Sequence, residues 1–98
     1  MQSDPNNKKE FVLTNQLTRS GTAIGALYRE AEHAESKKDF IHKMCIAQKE
    51  CNESLYWLEL MDATQVISKE QFIDLESQAT EMLKILARII ISSKASLK

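Results

Sequence analysis

Apolar residues recur along most of the chain at the three- and four-residue spacing of one helix face. Side chains three or four residues apart lie on the same side of an α-helix, so this spacing predicts amphipathic helices. The first runs from about Lys9 to Ala34. Its apolar stripe consists of Leu13, Leu17, Ser20, Ile24, Leu27, Tyr28 and Ala31.

Two further stretches carry the same pattern, and each begins with a capping signal. Ser36 with Asp39, and Ser68 with Gln71, place an N-cap hydroxyl three residues before an acid or amide. The second helix is predicted from about Lys37 to Ala63, with the stripe Phe40, Met44, Ala47, Cys51, Leu55 and Leu58. The third is predicted to end near Lys94, with the stripe Phe72, Leu75, Ala79, Met82, Leu83, Leu86, Ile89 and Ile90.

The short connections between these helices determine the predicted fold. Links of a few residues make neighbouring helices antiparallel, so we expect an all-α, up-and-down helical bundle. Two glycines and one proline in 98 residues exclude a turn-rich β-sandwich or barrel. Residues 1–8 are polar and aperiodic and are predicted to be disordered, which leaves 9–98 as a single bundle domain.

Processing and membrane signals are absent from the pattern. The polar N-terminus has no apolar stretch typical of a secretory signal, and the longest apolar run, Ile89–Ile91, is far shorter than the roughly 20 residues of a membrane span. Cys45 and Cys51 lie about 120° apart on one helix, which favours free thiols in a reducing compartment. We therefore expect a cytoplasmic protein that is not associated with membranes.

Catalytic and metal motifs are weak. Glu30 and His33 form a Glu-x-x-His pattern, and Asp39 with His42 gives a poor second copy. Both histidines lie opposite the apolar stripe of their helix, so we expect them to face solvent rather than a metal inside the bundle. No glycine-rich phosphate loop and no nucleophile beside a base are present. The expectation is a protein without catalytic activity, cofactor, metal or small-molecule substrate.

Charge leaves two interpretations open. The 13 basic and 14 acidic residues give a net charge of −1, so there is no global field to hold a polyanion. Basic residues nevertheless gather near one end of the predicted bundle, either as solvated faces or as a nucleic-acid-binding patch. The candidate patch consists of Lys37, Lys38, Lys43, Lys84 and Arg88.

Two further sets of residues are candidates for helix or subunit packing. Ile46, Trp57 and Leu60 lie on a second face of helix two. Either they are scattered exposed apolar residues, or they meet a fourth helix or another subunit, and the enrichment of tryptophan at interfaces makes them a candidate subunit interface. Ser20, Gly21 and Gly25 form a notch in helix one that would allow another backbone to approach closely. A separate hypothesis is that Arg19, Glu30, Glu50 and Glu53 form a buried ionic network.

Several ordered blocks at matching spacing carry a family resemblance over about residues 9–94. The blocks are Gln16–Ala26, Glu30-Ala31, Ser36–Ile41 and Ala47-x-Lys49-Glu50-x-x-Glu53-x-x-Tyr56-Trp57-Leu58. Together they resemble the bacterial four-helix bundle proteins encoded in 23S rRNA intervening sequences. The resemblance implies a bundle that often assembles as a ring-like homopentamer, with no established activity. It also implies a first helix before Lys8, where this sequence has only polar residues, so we expect three helices here.

The resemblance leaves three functional alternatives. The first is a non-catalytic oligomeric scaffold or interaction module. The second is an RNA- or DNA-binding accessory protein, as in the related accessory variability determinant, which works with a reverse transcriptase and binds nucleic acid through a basic pentamer surface. The third is a decayed reading frame with a partly folded product.

Overall fold

Three α-helices form the part of the chain that the computed structural model describes, residues 8–97. They are α1 (Lys8–Glu32), α2 (Lys37–Ala63) and α3 (Lys69–Ala95), with no strand among the described residues. The all-α class and the three helices are confirmed, and every helix end lies within two residues of its predicted place. The four-helix bundle stays an expectation. The predicted disordered segment 1–8 lies outside the described residues except for Lys8, which begins α1.

Both predicted capping signals begin a helix. The Ser36 hydroxyl accepts a hydrogen bond from the Asp39 backbone N–H at 3.1 Å. At the start of α3 the exchange is reciprocal, because the Gln71 N–H donates to Ser68 Oγ at 3.1 Å and the Ser68 N–H donates to Gln71 Oε1 at 2.9 Å. These bonds satisfy N–H groups that have no partner within the helix.

The C-terminal end of α2 closes with a residue in the left-handed region. Gln65 has a φ of 59°, its N–H donates to the Asp62 carbonyl at 3.1 Å, and the Val66 N–H donates to the Met61 carbonyl at 2.8 Å. This pair of bonds is the Schellman arrangement, in which glycine is the usual residue at the left-handed position. A side chain with a Cβ is strained there.

Replacing Gln65 by glycine is therefore expected to stabilise the protein. Relief of the left-handed strain should outweigh the greater freedom of glycine in the unfolded chain, for a net gain of about 0.5 to 1 kcal/mol. Urea unfolding followed by circular dichroism measures the change. Gln65→Ala keeps the Cβ and serves as the control, which should gain nothing. A loss of stability in Gln65→Gly would contradict this account.

The middle helix holds the other two together. Arg19 of α1 contacts Glu50, while Glu30, nearer the end of α1, contacts Lys43, so the two helices run antiparallel. On its other side α2 contacts α3, where Cys51 Sγ donates to the Ala79 carbonyl at 3.3 Å. Within residues 8–97, α1 and α3 each approach α2 closely, whereas no Cα atom of α1 comes within 8 Å of a Cα atom of α3. The predicted up-and-down order is confirmed for these three helices.

The buried core lies where α2 meets both neighbours. Its central cluster is Ala31, Met44, Ala47, Cys51, Leu86 and Ile90. Cys45 and Cys51 are free thiols, and burial raises the pKa of the Cys51 thiol. The predicted stripes are wrong at two positions. Tyr28 and Met82 were expected in the core, but they are 50% and 41% exposed. Both lie on helix sides that no described element covers.

Candidate functional site

An open apolar groove runs over α2 between the two outer helices. It exists because α1 and α3 both pack against α2, while no Cα atom of α1 comes within 8 Å of one of α3. Leu58 and Cys51 are almost fully buried in its floor, and Met82 on its wall is 41% exposed. Its lining residues are Leu17, Gly21, Ile24, Cys51, Ser54, Leu58, Leu75, Gln78, Ala79 and Met82. The stripe pattern predicted apolar walls but not that they would stand open.

The three residues of the predicted notch in α1 differ in burial. Ser20 is fully buried, whereas Gly21 and Gly25 are exposed. A Cβ added to either glycine would meet no atom within 4 Å. No backbone among residues 8–97 therefore uses the space that the glycines leave, and a packing role for them stays a prediction.

A cluster of charged side chains joins α1 to α2 at the rim of the fold. Arg19 Nη1 donates to Glu50 Oε2 at 3.3 Å, and Nη2 donates to Glu53 Oε2 at 3.4 Å and to Ser20 Oγ at 3.2 Å. The Arg19 side chain is 49% exposed, so the network is not buried as hypothesised. Glu30 lies outside it and pairs with Lys43 instead. Spacing within one helix could not reveal which partner lies across.

We expect the Arg19 contacts to contribute little to stability. Replacing Glu50 by glutamine should cost up to about 1 kcal/mol, and Glu53→Gln less, because solvent screens half-exposed ion pairs. The Glu50 side chain is 16% exposed and that of Glu53 is 39% exposed, which sets this order. Urea unfolding at low and high salt provides the measurement, with the exposed Glu59→Gln as control. A larger loss for Glu53→Gln than for Glu50→Gln would contradict it.

Two of the five candidate basic residues have partners within the chain, and a shared nucleic-acid-binding surface stays a prediction. The Lys43 ammonium lies 3.1 Å from Glu30 of α1, and this hydrogen bond, with the charge of that carboxylate, raises the pKa of Lys43. Lys37 instead extends toward α3 and donates to the hydroxyl of Ser96, the residue just after that helix, at 2.9 Å. Lys38, Lys84 and Arg88 are exposed.

The candidate subunit interface on α2 is half-buried within the chain. Ile46, Trp57 and Leu60 each keep part of their surface accessible. Trp57 packs edge-on against the exposed ring of Tyr56, with ring centroids 5.0 Å apart. Its indole N–H is buried and finds no hydrogen-bond acceptor in the part of the chain described. Whether these residues meet another subunit stays a prediction.

The described residues form neither a metal site nor a membrane-spanning helix. His33 and His42 are both exposed. Among residues 8–97, no group of three or more histidine, cysteine or acidic side chains is placed to hold a metal ion. No helix within that range is both long and apolar enough to cross a membrane.

Helix α3 carries a surface that the sequence analysis missed. Its fully buried residues are Leu86 and Ile90, whereas four of its large apolar side chains are exposed. Met82 lines the groove and Ile85 is 42% exposed, while Ile73 and Ile91 are 59% and 69% exposed on another side of the helix. This exposure could have been predicted from the sequence, because Ile73 and Ile91 fall outside the main apolar stripe of the helix. The exposed apolar set is Ile73, Met82, Ile85 and Ile91.

Comparison with known proteins identifies a family and a similar solved structure. The model of the family described as 23S rRNA-intervening sequence protein matches residues 1–88. The chain is 52% identical to a protein of unknown function from the S23 ribosomal protein family of Bacteroides thetaiotaomicron, whose crystal structure was determined at 1.70 Å. The match covers 87% of this chain and 79% of that one, with a TM-score of 0.81. No curated protein matches the chain.

Proposed function

This chain belongs to the family of 23S rRNA-intervening sequence proteins, and from that premise we propose that it is a non-catalytic interaction module that works as an assembly of several copies. Such a protein needs apolar surface that its own fold leaves uncovered. A ring of five copies is the assembly that the family resemblance implies.

The exposed apolar side of α3 is the observation that carries this proposal. A helix at the edge of a monomeric protein normally covers its large apolar side chains or does without them. Here Ile73 and Ile91 are both more than half exposed, although α3 packs along α2. Burial of such side chains against another chain is the favourable term in most protein association.

A nucleic-acid-binding accessory protein is the second candidate, and the charge arrangement supports it less. Such binding needs several cations that can reach successive phosphates. Two of the five candidates are already engaged, since Lys43 pairs with Glu30 and Lys37 bonds to Ser96. The first candidate is therefore preferred. Both free thiols support a reducing compartment such as the cytoplasm as its location.

Light scattering on a sizing column, with ultraviolet absorbance at two wavelengths, tests both candidates in one experiment. It reports the mass of the assembly and the nucleic acid bound to the purified protein. We expect defined oligomers without nucleic acid. A monomer at every concentration would overturn the proposal.

The nucleic-acid candidate has its own signature. Bound nucleic acid whose affinity falls with salt, and falls again in Lys37→Glu/Lys38→Glu, would replace the first candidate by the second. The matched control is Lys8→Glu/Lys9→Glu, which makes the same change of charge at the start of α1. It should leave such binding largely intact.

A further inference from the structure

The groove over α2 continues into a second hollow at one of its ends. This hollow lies between the start of α1, the end of α2 and the turn that leads into α3. Groove and hollow together form a trough about 20 Å long, bordered by residues 10–24 of α1 and 70–82 of α3. On each helix a residue of the hollow lies one turn from a residue of the groove: Thr14 from Leu17, Met61 from Leu58, and Gln71 from Leu75.

The trough is suited to a helix rather than to an extended chain. Its walls and floor are helices whose backbone hydrogen bonds are internal, so an extended segment would bury its own N–H and C=O groups without partners. A helix satisfies these groups itself and docks through one apolar face. Gly21 lets its backbone come close, because a Cβ at Gly21 would meet no atom within 4 Å. About 14 helical residues span the trough.

The edges of the trough are acidic. On the α3 side, residues 70–82 contain four acidic and no basic residues. On the α1 side the one basic residue within 10–24, Arg19, points away from the trough and pairs with two glutamates of α2. Asp74 lies at the α3 edge, since it accepts a hydrogen bond at 3.1 Å from Gln78, which lines the groove.

A second carboxylate extends the same edge. Glu81 follows Asp74 by seven residues, which is nearly two full turns, so both lie along one side of α3. Neither carboxylate forms an ion pair within the described residues. Such an edge repels nucleic acids and anionic lipid surfaces and attracts a basic polypeptide.

We propose that the trough binds an amphipathic helix of a partner protein, with an apolar stripe that enters the trough and lysine or arginine side chains on its flanks. The apolar stripe packs against Leu17, Leu58 and Met82. The basic flank lies along Asp74 and Glu81. Residues 1–7 of this chain cannot supply the stripe, because they contain a single apolar residue, at position 1.

This inference rests on the proposed interaction module and names the class of its partner. It is compatible with a ring of five copies. Ile73 lies nine residues before Met82 and Ile91 nine residues after it, so both isoleucines face the side of α3 opposite to the groove. Contacts between copies on that side leave the trough free, and each copy binds one partner helix.

A synthetic peptide with these properties is the probe. It consists of two identical heptads, Leu-Lys-Lys-Leu-Leu-Lys-Leu, with blocked ends and a fluorescent label, and its anisotropy is followed as the full chain is added. A peptide with glutamate at every lysine position controls for charge, and a scrambled peptide of the same composition controls for the apolar stripe. We expect the lysine peptide to bind one per copy, at least about tenfold more tightly than either control.

A change of charge at the α3 edge locates the binding. Asp74→Lys/Glu81→Lys should weaken binding of the lysine peptide at least about tenfold, because the edge then repels the peptide. Its matched control is Glu35→Lys/Glu59→Lys, which makes the same change of net charge at exposed sites away from the trough. This control should bind within about twofold of the parent.

A side chain placed in the trough provides the second variant. Gly21→Leu fills part of the space and should also weaken binding at least about tenfold. Its matched control is Ala26→Leu, at an exposed site on another side of α1, which should bind as the parent does. Circular dichroism establishes that each variant is helical.

The outcomes separate this inference from the proposed assembly. No binding of the lysine peptide, or equal binding by the parent and by Asp74→Lys/Glu81→Lys, overturns the docking while the oligomer stands. The docking is also overturned if Gly21→Leu dissociates the oligomer and still binds the peptide, since a second copy then occupies the trough. A monomeric parent that binds the peptide overturns the oligomer alone.

Discussion

Replacing Met44 by alanine is expected to lower the free energy of unfolding by about 2 to 5 kcal/mol. The Met44 side chain is fully buried in the cluster that joins all three helices. Two of its neighbours there, Ala31 and Ala47, are too small to fill the cavity that the truncation leaves. For a chain of this size the same change lowers the melting temperature by about 4 to 8 °C for each kcal/mol.

Urea unfolding followed by circular dichroism measures this loss. Met44→Leu keeps most of the volume and should cost less than about 1.5 kcal/mol, which separates the cavity from the loss of methionine itself. Val12→Ala removes an apolar side chain that is 52% exposed and should change stability by less than about 0.5 kcal/mol. A loss below 1 kcal/mol in Met44→Ala would mean that the helices can close over the cavity.

The helices could be predicted from the sequence because their signals are local. Ser36 and Ser68 each place a hydroxyl three residues before the N–H that it accepts from, and both caps form. The apolar period then extends each helix until a polar turn interrupts it. The same local reasoning correctly predicted that His33, which lies in the turn just after α1, and His42 of α2 are exposed.

The contacts between helices could not be predicted in the same way. Tyr28 and Met82 belong to regular stripes, yet both are exposed, because a stripe shows that a side is apolar and not which element covers it. The covering depends on how α1 and α3 are placed around α2, and they leave the groove open. For the same reason the ion pair between Glu30 and Lys43 could not be predicted from the sequence.

Replacing both Gly21 and Gly25 by alanine is expected to raise the free energy of unfolding by about 2 kcal/mol. Each glycine lies inside α1, where alanine is favoured by roughly 1 kcal/mol. Neither has a positive φ, and the added methyl groups meet no atom within 4 Å. The melting temperature should rise by about 8 to 16 °C. Ala26→Gly, at an exposed site of the same helix, should cost about 1 kcal/mol and is the reverse control.

The same double variant decides whether the glycines form a packing notch. The two glycines lower the stability of α1, and no described residue packs into the space that they leave. If a second chain approaches α1 there, the methyl groups will weaken association even as they stabilise the single chain, because its backbone can no longer come close. Sedimentation and thermal unfolding of one sample separate the two effects. A gain in stability with unchanged association would exclude the notch, and a loss of stability would show that the open space is needed by the fold itself.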